Sequence, residues 1–288
     1  MFYTVNGEKN KSSVEFRKVL NGDNDLLFPT DAIFLTDKKV YKLYKYFFNG
    51  KKTIVIANGE KNKEISTVLD IIDKLVEYRA DRNCFLVGVG GGVVTDIAGF
   101  VASVYMRGIQ FGFIPTTLLA MIDASIGGKN GVNHKKYKNM IGTFNQPDFI
   151  YIDHSFLKSL SIEEYTNGMA EAIKHMLITD EIAFNNFNDN IEEYKNPGSV
   201  LIPEFLQNQA KVKIDIVNQD EKEKGIRSIL NFGHTFGHAI EKIYKLKHGF
   251  AISLGMVIAS EISQKLGMIA PKQVIEIKEC LEKCRIAC

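Results

Sequence analysis

The 288-residue chain is long enough for one large or two moderate domains, and its 45% hydrophobic content is ample for a buried core. Its 36 basic and 34 acidic residues leave a formal net charge of +2, which gives no electrostatic footprint for nucleic acid or for an anionic membrane surface. The longest apolar runs, 97–106 and 251–259, are too short to span a bilayer. MFYTVNGEKNK at the start lacks the apolar core of a signal peptide, and four cysteines make no disulfide framework at this size, so a cytoplasmic protein is expected.

The first half alternates short apolar runs with amphipathic stretches. AIFLT from Ala32, KTIVIA from Lys52 and CFLVGV from Cys84 read as strands, with helices after Asp37 and from Lys63 between them. This βαβ rhythm predicts a parallel sheet. Gly90, Gly91 and Gly92 then form a tight turn into a helix. Unpaired amides and the positive end of a helix macrodipole suit a pyrophosphate there, although the run is not GxGxxG in clean form and a plain sheet-to-helix turn competes with that reading. QFGFIPTTLLA reads as another strand and helix start, with Thr116 and Thr117 as caps or as ribose and phosphate contacts.

Residues 123–142 read as a long irregular connection rich in glycine, lysine and asparagine. Lys129, Lys138 and Asn139 in it can bind an anionic substrate, with a solvated loop as the alternative. From about Asp153 strand patterns give way to helical ones. The expected organisation is an α/β domain with a parallel sheet over 1–153 and an all-helical domain over 154–288.

In the second half, Ser161 and Glu164 form a capping-box pattern ahead of a helix that puts Glu171, Lys174 and His175 on one face. Cys280, Cys284 and Cys288 recur every fourth residue as a packing stripe, and Cys84 is expected to be buried. In NFGHTFGHA, 231–239, His234 and His238 lie four apart and share a helix face, with His248 close behind. Three of the six histidines thus fall within fifteen residues, which points to a metal, with a capped, partly buried helix carrying two satisfied histidines as the alternative. A catalytic zinc takes three protein ligands and keeps one position open, and the candidates for the third are His248 and Glu171.

GGGVVTDIAGF, YMRG, PTTLLAMIDASIGGKNGVNH, KNMIG, GMAEAIKH and RSILNFGHTFGHAIE, in this order, resemble the 3-dehydroquinate synthase family over nearly the whole chain. The resemblance implies a dinucleotide-binding α/β domain joined to a helical metal domain. It also implies conversion of 3-deoxy-arabino-heptulosonate 7-phosphate to 3-dehydroquinate and phosphate, with NAD and zinc, or cobalt, as cofactors and a homodimer as the assembly. By the same resemblance Glu171, His234 and His248 bind the metal, and His238 sits beside it moving protons. Asp123 and Lys174 address the substrate, and Lys213 and Arg227 hold its carboxylate end. Lys129, Asn139 and Asn231 lie near its phosphate, and Arg107 reaches a neighbouring subunit's phosphate site.

For NAD the resemblance assigns Gly90, Gly91, Gly92, Val93 and Asp96 to the pyrophosphate side. Thr116, Thr117, Lys129, Lys138, Phe156 and Ser159 line the cofactor, and Glu60, Lys63 and Asp37 border its adenosine end. Two residues depart from the family's pattern: Asn130 stands where threonine is usual and Tyr137 where glycine is common. The family also continues for several dozen residues past the point matching Cys288, with a lysine-bearing segment near the phosphate. Lower stability and turnover are therefore expected of this form. The alternatives are another sugar phosphate cyclase, or a paralogue that binds NAD and zinc without turnover.

Overall fold

The computed structural model of the chain describes residues 2–20, 27–135 and 137–286. It divides into two compact units, Met1–Ser159 and Leu160–Cys288. The first carries strands β1 (Phe2–Asn6), β2 (Lys11–Phe16), β3 (Ile33–Asp37), β4 (Thr53–Ile56), β5 (Phe85–Gly90), β6 (Gln110–Pro115), β7 (Lys129–His134), β8 (Tyr137–Phe144) and β9 (Phe149–Ile152). Helices α1 (Lys38–Leu43), α2 (Lys45–Phe48), α3 (Ile65–Glu77) and α4 (Gly92–Val104) lie between them. The second unit holds α5 (Ile162–Thr179), α6 (Glu181–Asp189), α7 (Ile191–Tyr194), α8 (Ile202–Gln219), α9 (His234–Tyr244), α10 (His248–Lys265) and α11 (Pro271–Lys283), with no strand among the described residues.

Seven strands form one sheet in the order β1-β2-β9-β6-β5-β3-β4. All neighbours are parallel except β1 and β2, a hairpin registered Phe2 to Glu15 and Asn6 to Lys11. β5 is an interior strand and every residue of FLVGVG is buried, which is why it reads as an unbroken apolar run rather than as alternation. α3 buries Val68, Ile71 and Leu75, a stripe at helical spacing.

Three strands left no clear mark in the sequence. β1 and β2 bury only Val5, Ser12 and Val14 completely, so their alternation is short and broken by an Asn-Gly turn. β9 is a four-residue apolar run, FIYI.

The segment 123–142 is not an irregular connection. It contains the end of a π-helical turn, Ala120–Ala124, and most of the antiparallel hairpin β7-β8, registered Lys129 to Phe144. Buried Asn130 locks the hairpin by donating its side-chain amide to Gly128 O and Asn145 O, both at 2.9 Å. Asn130, one of the two residues that depart from the expected pattern, thus has a structural role inside the fold.

The expected boundary at residue 153 lies six residues before the observed division. The 3-10 turn His154–Ser159 stays with the first unit because Phe156 meets Tyr44 edge-on at 4.9 Å and the Ser159 hydroxyl bonds the Tyr44 hydroxyl. Asp153 anchors the same corner, accepting N–H groups of Val19 (2.7 Å), Leu20 (3.1 Å) and Ser155 (2.9 Å). Cys280 and Cys284 are buried, whereas Cys84 is half-buried and precedes its strand; Cys288 lies outside the described residues.

Candidate functional site

In the first unit, β3 is followed in the chain by β4 on one side and then by β5 on the other, so the strand order reverses between β3 and β5. Open parallel sheets bind ligands at the carboxyl ends of the strands flanking such a reversal. Those ends are Asp37 on β3 and Gly90 on β5. A Cβ at Gly90 would meet Val94 at 2.5 Å, so only glycine lets the strand turn this tightly into α4. Gly92 and Val93 open α4, and its N-cap Gly91 makes no side-chain cap hydrogen bond; amides in the first turn of a helix have no acceptor within the helix. The Asp37 Oδ1 is already engaged, capping α1 through the N–H groups of Lys39 and Val40 and accepting from the Asn58 side chain at 2.7 Å.

Lys63 and Asp96 form an ion pair, with side chains only 6% and 18% exposed. Burial pushes the Asp96 carboxyl above its usual range, against the lowering effect of the Lys63 charge. The Lys63 ammonium also donates to Asn139 Oδ1 at 2.6 Å. Asn139 has a left-handed φ of 52°, and its N–H donates to the Asn133 side chain, which in turn donates to Glu60. One network therefore joins Glu60, Lys63, Asp96 and Asn139.

Thr116 is buried behind Gly90, Thr117 is half-buried, and Lys129 and Lys138 are exposed. Phe156 is only 1% exposed and belongs to the core of this unit. Asp123 lies in the π-helical turn, half-buried. Exposed Arg107 and its neighbour Met106 both have left-handed φ values, 69° and 47°.

In the second unit one face of α5 builds the cluster. Ser161 caps the helix by accepting the Glu164 N–H, but Glu164 does not complete a capping box; it turns to Lys247 at 2.5 Å, and Glu163 joins at 2.9 Å. One turn on, Asn167 Oδ1 accepts the Gly249 N–H at 2.7 Å. One turn further, Glu171 Oε1 faces His248 Nε2 at 3.3 Å and His234 Nε2 at 3.9 Å. Glu171 is fully buried and its other oxygen pairs with buried Lys174.

His234 and His248 are the first residues of α9 and α10, so the two imidazoles meet Glu171 from different helices. His238, a turn along α9, is the more exposed and pairs instead with Glu241 at 3.4 Å. The pairing of histidines four apart on one helix is therefore not the arrangement around Glu171.

The ligand atoms of Glu171, His234 and His248 lie within 4.8 Å of one another. Bonds of about 2.0–2.2 Å to a tetrahedral ion put ligand atoms about 3.3 Å apart, close to the separations here. Burial pushes His234 down to about 4. For His248 burial acts the same way, but the nearby carboxylates of Glu171 and Glu241, at 3.3 and 3.8 Å, outweigh it and lift the ring to about 9. The buried Glu171 charge thus draws a positive charge onto His248, a role that a bound cation would take over from that proton.

Arg227 is 1% exposed; its guanidinium donates to Glu221 O, and its N–H to Asp220 at 3.1 Å. Lys213 is buried on α8, and exposed Asn231 donates to Glu223 at 2.7 Å. Asn167, Glu241 and Lys247 are not among the residues expected from the sequence. Glu241 falls three residues after His238 and seven after His234, a helical spacing that could have found it.

The family model described as 3-dehydroquinate synthase N-terminal matches residues 53–167, and that described as 3-dehydroquinate synthase C-terminal matches 168–288. A 3-dehydroquinate synthase of Vesicomyosocius okutanii is 46% identical over 237 residues, 81% of this chain and 66% of the relative. One of Pyrococcus abyssi is 49% identical over 230 residues, 78% and 67%. The chain thus spans about two thirds of the length of these relatives.

Among solved structures, 2-deoxy-scyllo-inosose synthase complexed with carbaglucose-6-phosphate, NAD+ and Co2+ superposes with a TM-score of 0.87 at 26% identity, covering 99% of this chain and 81% of that one. A 2-epi-5-epi-valiolone synthase from Streptomyces hygroscopicus with NAD+ and Zn2+ bound gives 0.85 at 26%, covering 96% and 80%. With both family models placed end to end across 53–288 and an α/β unit followed by a helical one, the chain belongs to the 3-dehydroquinate synthase family.

Proposed function

We propose that the chain converts 3-deoxy-arabino-heptulosonate 7-phosphate to 3-dehydroquinate and inorganic phosphate, using NAD and a divalent metal, zinc or cobalt. The observation that carries this reading is the convergence of His234 and His248 on buried Glu171, inside a chain of this family. When bound, NAD supplies reversible hydride transfer and the metal polarises the substrate's oxygens.

In the second unit Glu171, His234 and His248 hold the metal, and His238, exposed and paired with Glu241, moves protons. Lys174 neutralises the second oxygen of Glu171 and addresses a substrate hydroxyl. Lys213 and Arg227 bind the carboxylate, for which the planar Arg227 fork is suited, and Asn231 donates to the phosphate.

In the first unit Gly90, Gly91, Gly92 and Val93 hold the pyrophosphate with backbone amides, and Asp96, kept in place by Lys63, borders it. Glu60, Lys63 and Asp37 border the adenosine end, while Thr116, Thr117, Lys129, Lys138 and Ser159 line the cofactor over the packing of Phe156. Asp123 addresses the substrate, and Lys129 and Asn139 donate to its phosphate. The working form is a homodimer in which exposed Arg107, the second of two successive left-handed residues, reaches the neighbour's phosphate.

The test is phosphate release from the heptulosonate phosphate with NAD at catalytic concentration. Release without accumulation of NADH supports the reading. Stoichiometric NADH build-up makes the chain a plain dehydrogenase, and release only from a sugar phosphate lacking a carboxylate overturns the assignment of Lys213 and Arg227.

A further inference from the structure

We propose that Glu241 is a positioning residue for the metal site: its carboxylate orients His248, so that the Nε2 lone pair faces Glu171, and ties that ring to His238. The inference rests on the metal reading of Glu171, His234 and His248. Glu241 is an acid only 8% exposed on α9, a helix whose next residues, 242–244, are all exposed. A carboxylate is costly to bury unless something holds its charge. Here Oε2 stands 3.4 Å from His238 Nδ1 and 3.8 Å from His248 Nδ1.

The two histidines that face Glu171 have matching arrangements. Each points Nε2 at the Glu171 oxygen, and each has an oxygen on its Nδ1 side: the Phe232 carbonyl at 3.2 Å for His234, the Glu241 carboxylate for His248. An imidazole that donates from Nδ1 has its lone pair on Nε2, so the oxygen behind the ring selects the tautomer able to ligate. For His234 the backbone two residues upstream supplies that oxygen. His248 begins a different helix, and there α9 supplies it as a carboxylate from across the helix pair. Because His238 shares the same oxygen, Glu241 also links the proton-moving ring to a ligand ring.

The metal-free chain and its Glu241→Gln, Glu241→Asp and Glu241→Ala variants should be titrated with zinc against a chromophoric chelator. Visible spectra of their cobalt forms and thermal unfolding without metal complete the comparison. Glu241→Gln is expected to weaken zinc binding about 10–100-fold and to alter the cobalt spectrum, with metal-free unfolding little changed. Glu241→Asp, which keeps the charge on a shorter arm and is the variant to read if the others fail to fold, is expected to recover part of that loss. Variants that match the wild type in zinc affinity and cobalt spectrum overturn the inference alone. A wild-type chain that takes up neither metal overturns the metal reading, and this inference with it.

Discussion

The backbone N–H of Gly249 donates to the Asn167 side-chain oxygen at 2.7 Å, and a Cβ at position 249 would lie 2.0 Å from the Asn167 carbonyl oxygen. The start of α10 is thereby pressed onto α5 one residue after His248. Lys247, on the other side of His248, is pinned by Glu163 and Glu164. His248 is held from both flanks, and Glu171 lies one helical turn beyond Asn167 on the same face.

Gly249→Ala should therefore force α10 off α5 at the point where His248 faces Glu171. The expected cost is about 1–3 kcal/mol from overpacking, together with a loss of bound zinc. Urea unfolding and elemental analysis check it, and a variant as stable and as metal-loaded as the wild type would count against this packing account.

His248→Ala and Glu171→Gln should each abolish stoichiometric metal binding, whereas His238→Ala should keep it and lose about 100-fold in turnover as a proton-transfer group. Metal analysis of the purified variants separates the two roles. Full metal in His248→Ala with none in His238→Ala would mean that the two histidines have exchanged places.

Asp153→Asn should destabilise the first unit by about 1.5–3 kcal/mol near neutral pH, because three backbone N–H groups lose a charged acceptor. Burial opposes the charge of Asp153, but hydrogen bonds from Ser155, Val19 and Leu20 outweigh it and hold the carboxyl below its usual range. A group with a lowered folded pKa stabilises fully above its unfolded value of about 3.9 and loses that contribution as pH falls through the folded value. The gap between wild type and variant should accordingly be constant above about pH 5 and shrink in more acidic solution. Urea midpoints measured across that range test it; a gap that widens on acidification would reverse the sign.

Lys63→Met should leave half-buried Asp96 without its cation, at a cost of up to about 3 kcal/mol. Burial already raises the Asp96 carboxyl, so protonation limits the damage, and the loss should be larger at alkaline than at mildly acidic pH. The double variant Lys63→Met/Asp96→Leu should recover much of the stability while NAD binding stays weak. Chemical unfolding and dinucleotide titration, run on both variants, separate the structural from the binding contribution.

Much of the site was legible because its signals are local. The Gly90 turn, the clustered histidines and the face shared by Glu171 and Lys174 are patterns within a few residues, and backbone geometry converts them directly into neighbouring side chains. Asn167 and Lys247 gave no such signal. They act across a helix pair, and nothing in NGMAEA or in KHG says that these two stretches touch.

By itself the sequence determined the alternation of strands and helices from Ala32 to about Leu119, the helical character of the chain beyond Asp153, the glycine turn after β5 and the clustering of histidines. Hydrophobic periodicity and turn chemistry are short-range properties, and each residue carries them wherever its segment packs. Tertiary structure alone decided that β1 and β2 join the sheet and that Lys129–Phe144 forms a hairpin, and spacing without the family resemblance left open which histidines face Glu171. In the hairpin, polar Asn130 is satisfied by Gly128 and Asn145, and in the cluster Glu171 draws one imidazole from α9 and one from α10. A polar group takes its structural role from the partners that folding brings to it, and in the cluster those partners lie far away in the chain.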